Sequence, residues 1–203
     1  MARPVLFIDL AGTLELADPQ TRRWGLWPGA LPVLTGLAAD FELHLTTGDH
    51  PFGARRTLAD LGLAELFTGI HADLPGRGKP FGAIAAHLGR DPAHCLAMGD
   101  NPMSDTAGDT DRVVSLLLDH RRALVTPERA AAVIRRLAGG GSFREAFDGL
   151  AAEMTDGDEP GQSPREALPP SDLAPGCRLG WWHKTAGVRR PVVVLSGPDA
   201  DQP

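Results

Sequence analysis

Four short stretches carry the residue types that phosphoryl chemistry needs. In "FIDLAGTLE", Phe7 to Glu15, an apolar run ends at Asp9, and Gly12-Thr13 follows three residues later. "FELHLTT" ends at Thr46 and Thr47, and the glycine-rich "PGRGKP" leads into Lys79. "GDNPMSD" supplies Gly99, Asp100 and Asp105. Asp9 and Asp100 offer hard oxygen ligands of the kind Mg²⁺ prefers. The Thr46 hydroxyl suits a phosphoryl oxygen, and Lys79 offsets the charge on a nucleophile and a phosphate together. Positioning and charge neutralisation are most of what phosphoryl transfer requires. Of the 20 basic residues 18 are Arg, so Lys79 and Lys184 stand out as positions where Arg was not taken.

The elements between these stretches must bring them together. Over residues 1–154, strand-like runs alternate with helix-like ones: "PVLFIDL", then "PGALPVLTGLAAD"; "FELHLTT", then "FGARRTLADLGL"; "FTGIHAD", then "KPFGAIAAHLG". "HCLAMGD", a helical turn at "SDTAGD", "RVVSLLLD" and the helices "TPERAAAVIRRLAG" and "SFREAFDGLAAEM" complete the series. Pro28, Thr126 and Ser142 mark helix starts and Gly89 a helix end. Such alternation predicts an α/β fold, a Rossmann-like three-layer sandwich whose central parallel sheet of five or slightly more strands is covered on both faces. Ligands of open α/β sheets bind at the carboxyl ends of the strands, where Asp9, Thr46 and Asp100 fall. Residues 155–176 are acidic and rich in Pro, Gly and Ser, the composition of a flexible linker. Residues 177–203 form a short β-like tail, in which two runs flank "KTAG" as a hairpin would. The tail is expected to add no strand to the central sheet. Within it Trp181 and Trp182, adjacent in an extended chain, face opposite sides, which suits a protein partner.

Bulk properties narrow the function classes. The net charge of −6 and the absence of a basic stripe argue against general nucleic-acid binding. No run reaches membrane-spanning length, the start "MARPVLFIDL" lacks the apolar length of a signal peptide, and Cys95 and Cys177 are the only cysteines. A cytoplasmic location is the expectation.

In order, "DLAGT", "LHLTTGD", "GKP" and "GDNPMSD" resemble the four motifs of the haloacid dehalogenase-like (HAD) superfamily, over roughly Pro4 to Asp119, although the stretch from Lys79 to Asp100 is about one helical turn shorter than the family pattern. The resemblance implies that Asp9 is the nucleophile of an aspartyl-phosphate. It implies that Thr46 binds phosphate, with Thr47 and Gly12 beside it, and that Lys79 orders the charges. Mg²⁺ would be held by Asp9, Asp100, Asp105 and the backbone carbonyl of Ala11. The gaps from Asp9 to Thr46 and from Thr46 to Lys79 leave no room for a sizeable cap domain. An open site of this kind suits a phosphorylated substrate that is macromolecular, or that is enclosed by another subunit or by the tail.

The sequence departs from the pattern at Ala11. Phosphatases of the superfamily place there a general acid-base Asp, worth about 10²–10⁴-fold in rate. The leading expectation is therefore a Mg²⁺-dependent phosphohydrolase or phosphotransferase with weakened acid-base catalysis. The alternative is an inactive HAD-like binding or regulatory module. "DxAGT" also resembles the phosphonoacetaldehyde hydrolase branch, which uses a Schiff-base lysine, and Lys184 is the spare lysine here. Other residues have plainer readings: Asp105 as a helix N-terminal charge, Asp49 as a loop residue, and His44 and Cys95 as structural groups. His50 offers a substitute acid at the site mouth, and Trp24 and Trp27 serve either substrate access or core packing.

Overall fold

The computed structural model describes residues 2–121, 123–152, 176–185 and 188–197, with the backbone alone at 180–185 and 188–189. The strands are β1 (Val5–Ile8), β2 (Glu15–Ala17), β3 (Trp24–Leu26), β4 (Glu42–Thr46), β5 (Phe67–His71), β6 (Cys95–Gly99), β7 (Val114–Asp119), β8 (Cys177–Thr185) and β9 (Val188–Ser196). The helices are α1 (Ala30–Asp40), α2 (Pro51–Asp60), α3 (Phe81–His87), α4 (Pro127–Ala138) and α5 (Phe143–Ala152). The main sheet runs β5-β4-β1-β6-β7-β9-β8, and its pairs are parallel except β8 with β9.

Strand β1 shows why the sheet has two cores. All four residues are buried; Leu6 and Ile8 pack with α1, α2, α4 and α5, whereas Val5 and Phe7 pack with Phe81, Ile84 and Ala85 of α3. A strand covered on both faces reads as a continuous apolar run, and alternate residues sort between the layers. The register then fixes the site. Ile8 lies level with Leu45 of β4 and with Met98 of β6, and the Asp9 amide continues the ladder to the Met98 carbonyl at 2.9 Å. Asp9, Thr46 and the Gly99-Asp100 step therefore emerge at one carboxyl edge.

The tail corrects the sequence-based expectation. β9 is a parallel partner of β7, from Ser115↔Val192 to Asp119↔Ser196, and β8 folds back antiparallel beside it. The hairpin is thus present, but it extends the central sheet to seven strands. The reason lies in "PVVVL", a run without alternation, as a two-face-buried strand reads. Val193 and Leu195 enter the main core, while Val192 and Val194 pack with Leu117 on the other face. Residues 155–175 of the expected linker, and the side chains of Trp181, Trp182 and Lys184, lie outside the described residues.

Smaller corrections are local. A hairpin, β2–β3, follows Asp9 where the sequence offered only a loop. "SDTAGD" forms turns and bends instead of a helical turn. Helix α1 begins at Ala30 behind Gly29, which takes φ 81°, two residues after the proline expected to open it. Thr126 precedes α4, with Pro127 at the first helical position, but makes no side-chain cap bond. No large cap interrupts the described residues, and none of their helices is long and apolar enough to cross a membrane.

Candidate active site

Lys79 organises the site. Its ammonium donates to Asp9 Oδ1 at 2.6 Å, to Asp105 Oδ1 at 2.7 Å and to the Thr46 carbonyl at 3.0 Å. The other three stretches thus meet on the nitrogen supplied by "PGRGKP", which is buried with both carboxylates. Its three N–H donors are all used. The fourth residue, Asp100, joins through oxygen geometry: carboxylate atoms of Asp9, Asp100 and Asp105 lie within 4.8 Å of one another.

Glycines make this closeness sterically possible. Gly12 takes φ 84°, and a Cβ there would lie 2.5 Å from Asp100 Oδ2. A Cβ on Gly99 would lie 2.2 Å from the Asp105 carboxyl carbon. Asp105 is held by the loop it belongs to, accepting from the Asn101 amide at 3.0 Å, while its own amide donates to the Asn101 carbonyl at 2.8 Å. It therefore stands as a buried ligand of Lys79 rather than as a helix N-terminal charge, since no helix forms there.

The electrostatics follow from three acids sharing one cation. Burial and then Asp105 push the Asp9 carboxyl up to about 7, against the pull of Lys79. Burial and Asp105 likewise raise Asp100 to about 6. Burial disfavours the Lys79 ammonium, but Asp105 and Asp9 outweigh it and hold the group above its ordinary value. The two partners are not in conflict: Lys79 gains from two carboxylates, while Asp9 has only a share of one ammonium and a like charge nearby. When all three acids are ionised, two negative charges remain uncompensated. A hard divalent cation fits this set by charge, by oxygen donors and by spacing.

The remaining expected residues divide. The Thr46 hydroxyl is buried and rests on the Ile8 carbonyl at 3.4 Å, long enough to be exchanged for a better partner. Thr47 is closed into a turn with Asp49, donating to its carboxylate and accepting from its amide, both at 3.1 Å. The Gly12 amide donates to the Glu15 carbonyl at 2.8 Å, so Gly12 contributes space rather than a spare donor. Ala11 is exposed and bridges to Glu15. His50 caps α2, accepting from the Phe52 amide through Nδ1. His44 stacks against His71 and meets Phe7 edge-on, and burial and His71 bring it down to about 4, a structural setting. Cys95 is buried, and burial lifts its thiol to about 12.

The two tryptophans of the segment after β1 separate. Trp27 is buried and donates Nε1 to the Val125 carbonyl at 2.8 Å. Trp24 is exposed and lines a groove of about 380 Å³ with Leu16, Leu26, Pro28 and Leu124. Sequence reasoning missed Glu15, whose carboxyl is raised by burial and by Asp49. No motif marks it; it comes beside Ala11 only because the chain turns back after Asp9.

Comparison with known proteins gives a family and a fold. The family described as haloacid dehalogenase-like hydrolase matches residues 3–108, just over half of the 203 residues. Among solved structures, the chain is similar to a haloacid dehalogenase-like family hydrolase from Xanthomonas campestris. The identity is 13%, the TM-score 0.54, and the match covers 68% of this chain and 97% of that one. It is also similar to a HAD-superfamily hydrolase from Ehrlichia chaffeensis, at 11% identity and TM-score 0.53, covering 68% and 99%. At these identities the likeness shows the fold. A comparison with curated proteins gave no match.

Proposed function

Because the chain belongs to the haloacid dehalogenase-like hydrolase family, we propose that it is a phosphohydrolase or phosphotransferase acting through Asp9. The observation that carries this reading is the Lys79 ammonium shared by Asp9 and Asp105, with Asp100 in reach. Asp9, Asp100, Asp105 and the Ala11 carbonyl are the groups that would hold Mg²⁺. When bound, the cation supplies charge neutralisation for the nucleophile and the phosphoryl oxygens together.

Asp9 attacks phosphorus through a carboxylate oxygen. The bond to the leaving oxygen breaks, and an aspartyl-phosphate forms. Thr46 turns its hydroxyl from Ile8 to a phosphoryl oxygen, and Lys79 fixes Asp9 and offsets the gathered charge. Water then cleaves the aspartyl-phosphate, releasing inorganic phosphate and restoring Asp9. Nothing at Ala11 protonates the leaving oxygen, so good leaving groups react best, and the aspartyl-phosphate lives longer than it would with an acid there.

The test is turnover of an aryl phosphate with Mg²⁺ beside that of an alkyl phosphate. The expected result is aryl turnover, abolished in Asp9→Asn, with alkyl turnover about 10²-fold or more slower. Ala11 favours one second reading, a binding or regulatory module that keeps the phosphate and metal ligands without turnover. In that case beryllium fluoride with Mg²⁺ binds in an Asp9-dependent way while neither ester is hydrolysed.

A further inference from the structure

Lys79 and Asp105 stand on two loops that touch backbone to backbone. The Gly78 amide donates to the Met103 carbonyl at 2.7 Å, and the Lys79 amide to the Ser104 carbonyl at 3.0 Å. The Gly108 amide returns to the Lys79 carbonyl at 3.0 Å. Contact this close needs glycine, since a Cβ on Gly108 would lie 2.2 Å from the Gly78 carbonyl oxygen.

The far side of Gly108 is held from the C-terminal strand. Arg190 of β9 donates Nη2 to the Gly108 carbonyl at 2.9 Å. Gly108 is thus gripped at both ends, by Lys79 through its amide and by Arg190 through its carbonyl. Arg190 is only 3% exposed, and its Nε and Nη1 are buried without a partner among the described residues. Burying a guanidinium with most of its donors unpaired is costly, and an apolar side chain would fill the same space at less cost. Its one bond therefore matters for what it holds, the loop that carries Asp105 and braces Lys79.

We propose that Arg190 is a positioning residue for Lys79. Through Gly108 it keeps the two loops in register, so that the ammonium meets Asp9 and Asp105 at hydrogen-bond distance. The C-terminal strand is in this way part of the active-site support, although it lies outside the 3–108 segment that matches the family. The role in catalysis rests on the phosphohydrolase reading above; the role in holding the loop does not.

The experiment compares the full chain with Arg190→Met and Arg190→Lys in three measurements. These are amide hydrogen exchange, aryl phosphate kinetics with Mg²⁺, and thermal melting. In Arg190→Met the amides of Gly108 and Lys79 exchange about 10-fold faster, the effect of losing one hydrogen bond, while those of Val193 and Leu195 keep their protection. The turnover number falls about 10-fold or more at unchanged KM, as a slightly misplaced catalytic group gives. Arg190→Lys, which keeps a cationic donor on a long stem, recovers most of both. The proposal is overturned if the folded Met variant exchanges and turns over like the native chain. It is equally overturned if Val193 and Leu195 lose protection as much as Gly108, because Arg190 would then only dock the strand. If Arg190→Met does not fold, Arg190→Gln gives the same local-against-global comparison. Absence of aryl turnover in the native chain would reject the phosphohydrolase reading and leave the exchange pattern to decide the role of Arg190.

Discussion

Lys79 Nζ lies 2.6 Å from Asp9 Oδ1, and both side chains are almost wholly withdrawn from water. The same nitrogen holds Asp105 at 2.7 Å, so removing it leaves two buried carboxylates without their cation. Lys79→Met is expected to destabilise the metal-free protein by about 3–5 kcal/mol near neutral pH, the cost of breaking a buried pair from one side. Aryl phosphate turnover should fall about 10²-fold or more. Urea unfolding in chelator and steady-state kinetics measure the two. Unchanged stability would mean that the ammonium is not the partner that makes these acids tolerable.

The acids also set a pH dependence. Asp9 ionises near 7 in the metal-free fold, and Asp100 near 6, whereas an unfolded carboxyl ionises near 3.8. Between these values the folded chain binds more protons than the unfolded one, so stability falls as pH rises from about 4 to about 7. If these acids hold Mg²⁺ as proposed, the cation binds their ionised forms and offsets that loss. Its stabilisation, about 2.7 kcal/mol at 100 times the dissociation constant, should therefore be small at about pH 5 and full at about pH 8. Melting curves with Mg²⁺ and with chelator across this range read the difference. An increment that does not change with pH would place the cation elsewhere.

Gly12 offers a test of the proposed metal site that changes none of the ligand residues themselves. Its φ of 84° strains any L side chain, and the added methyl of Gly12→Ala would meet Asp100 Oδ2 at 2.5 Å. Asp100 is exposed enough to swing aside, so the fold should lose only about 1–2 kcal/mol. The displaced carboxylate should weaken Mg²⁺ binding by about 10-fold or more, read by metal titration of the melting temperature. Full affinity in the variant would show that Asp100 is not a ligand.

Part of the candidate site was legible because three of its residues sit at strand ends, where apolar runs stop at an acid or a threonine. Asp9, Thr46 and Asp100 could be placed from that pattern, and Lys79 from its rarity among 18 arginines. Glu15 and Arg190 were not legible. Glu15 reaches Ala11 through a turn that its spacing does not announce. Arg190 reaches Gly108 across 82 positions, with strands β7 and β8, helices α4 and α5 and a Pro- and Gly-rich stretch between them and no motif to link the two ends. The same distance hid the full extent of the sheet: "PVVVL" declares a buried strand but not which strand it joins.

Strand β9 should therefore be needed for folding. Ending the chain after Met154 removes the partner of β7 and takes Val193 and Leu195 out of the core. The truncated chain is expected to lose cooperative melting or to aggregate through the bared β7 edge. In the full chain, Leu195→Ala should cost about 2–5 kcal/mol, read by urea unfolding. A truncated chain that melts like the whole one would show that the tail is dispensable to the core.

One catalytic group expected from the family pattern, an acid at position 11, is replaced by Ala11. Ala11 is exposed two residues after Asp9, so an Asp there has room. If the missing proton shuttle is all that limits hydrolysis, Ala11→Asp should raise alkyl phosphatase activity by about 10²-fold or more, the lower end of general acid-base effects. Aryl phosphates should gain less, because their leaving oxygen needs less protonation. The lifetime of the aspartyl-phosphate should shorten, since the new carboxylate also activates the hydrolytic water. Glu15→Gln serves as the control: if Glu15 already supplies a proton from beside Ala11, this change slows the native chain and matters little when combined with Ala11→Asp. No gain in a folded Ala11→Asp that still binds Mg²⁺ would reject the single-defect account. Weight would then pass to a module that holds phosphate without releasing it, or to lysine chemistry through Lys184, which Lys184→Ala would reveal by loss of whatever activity remains.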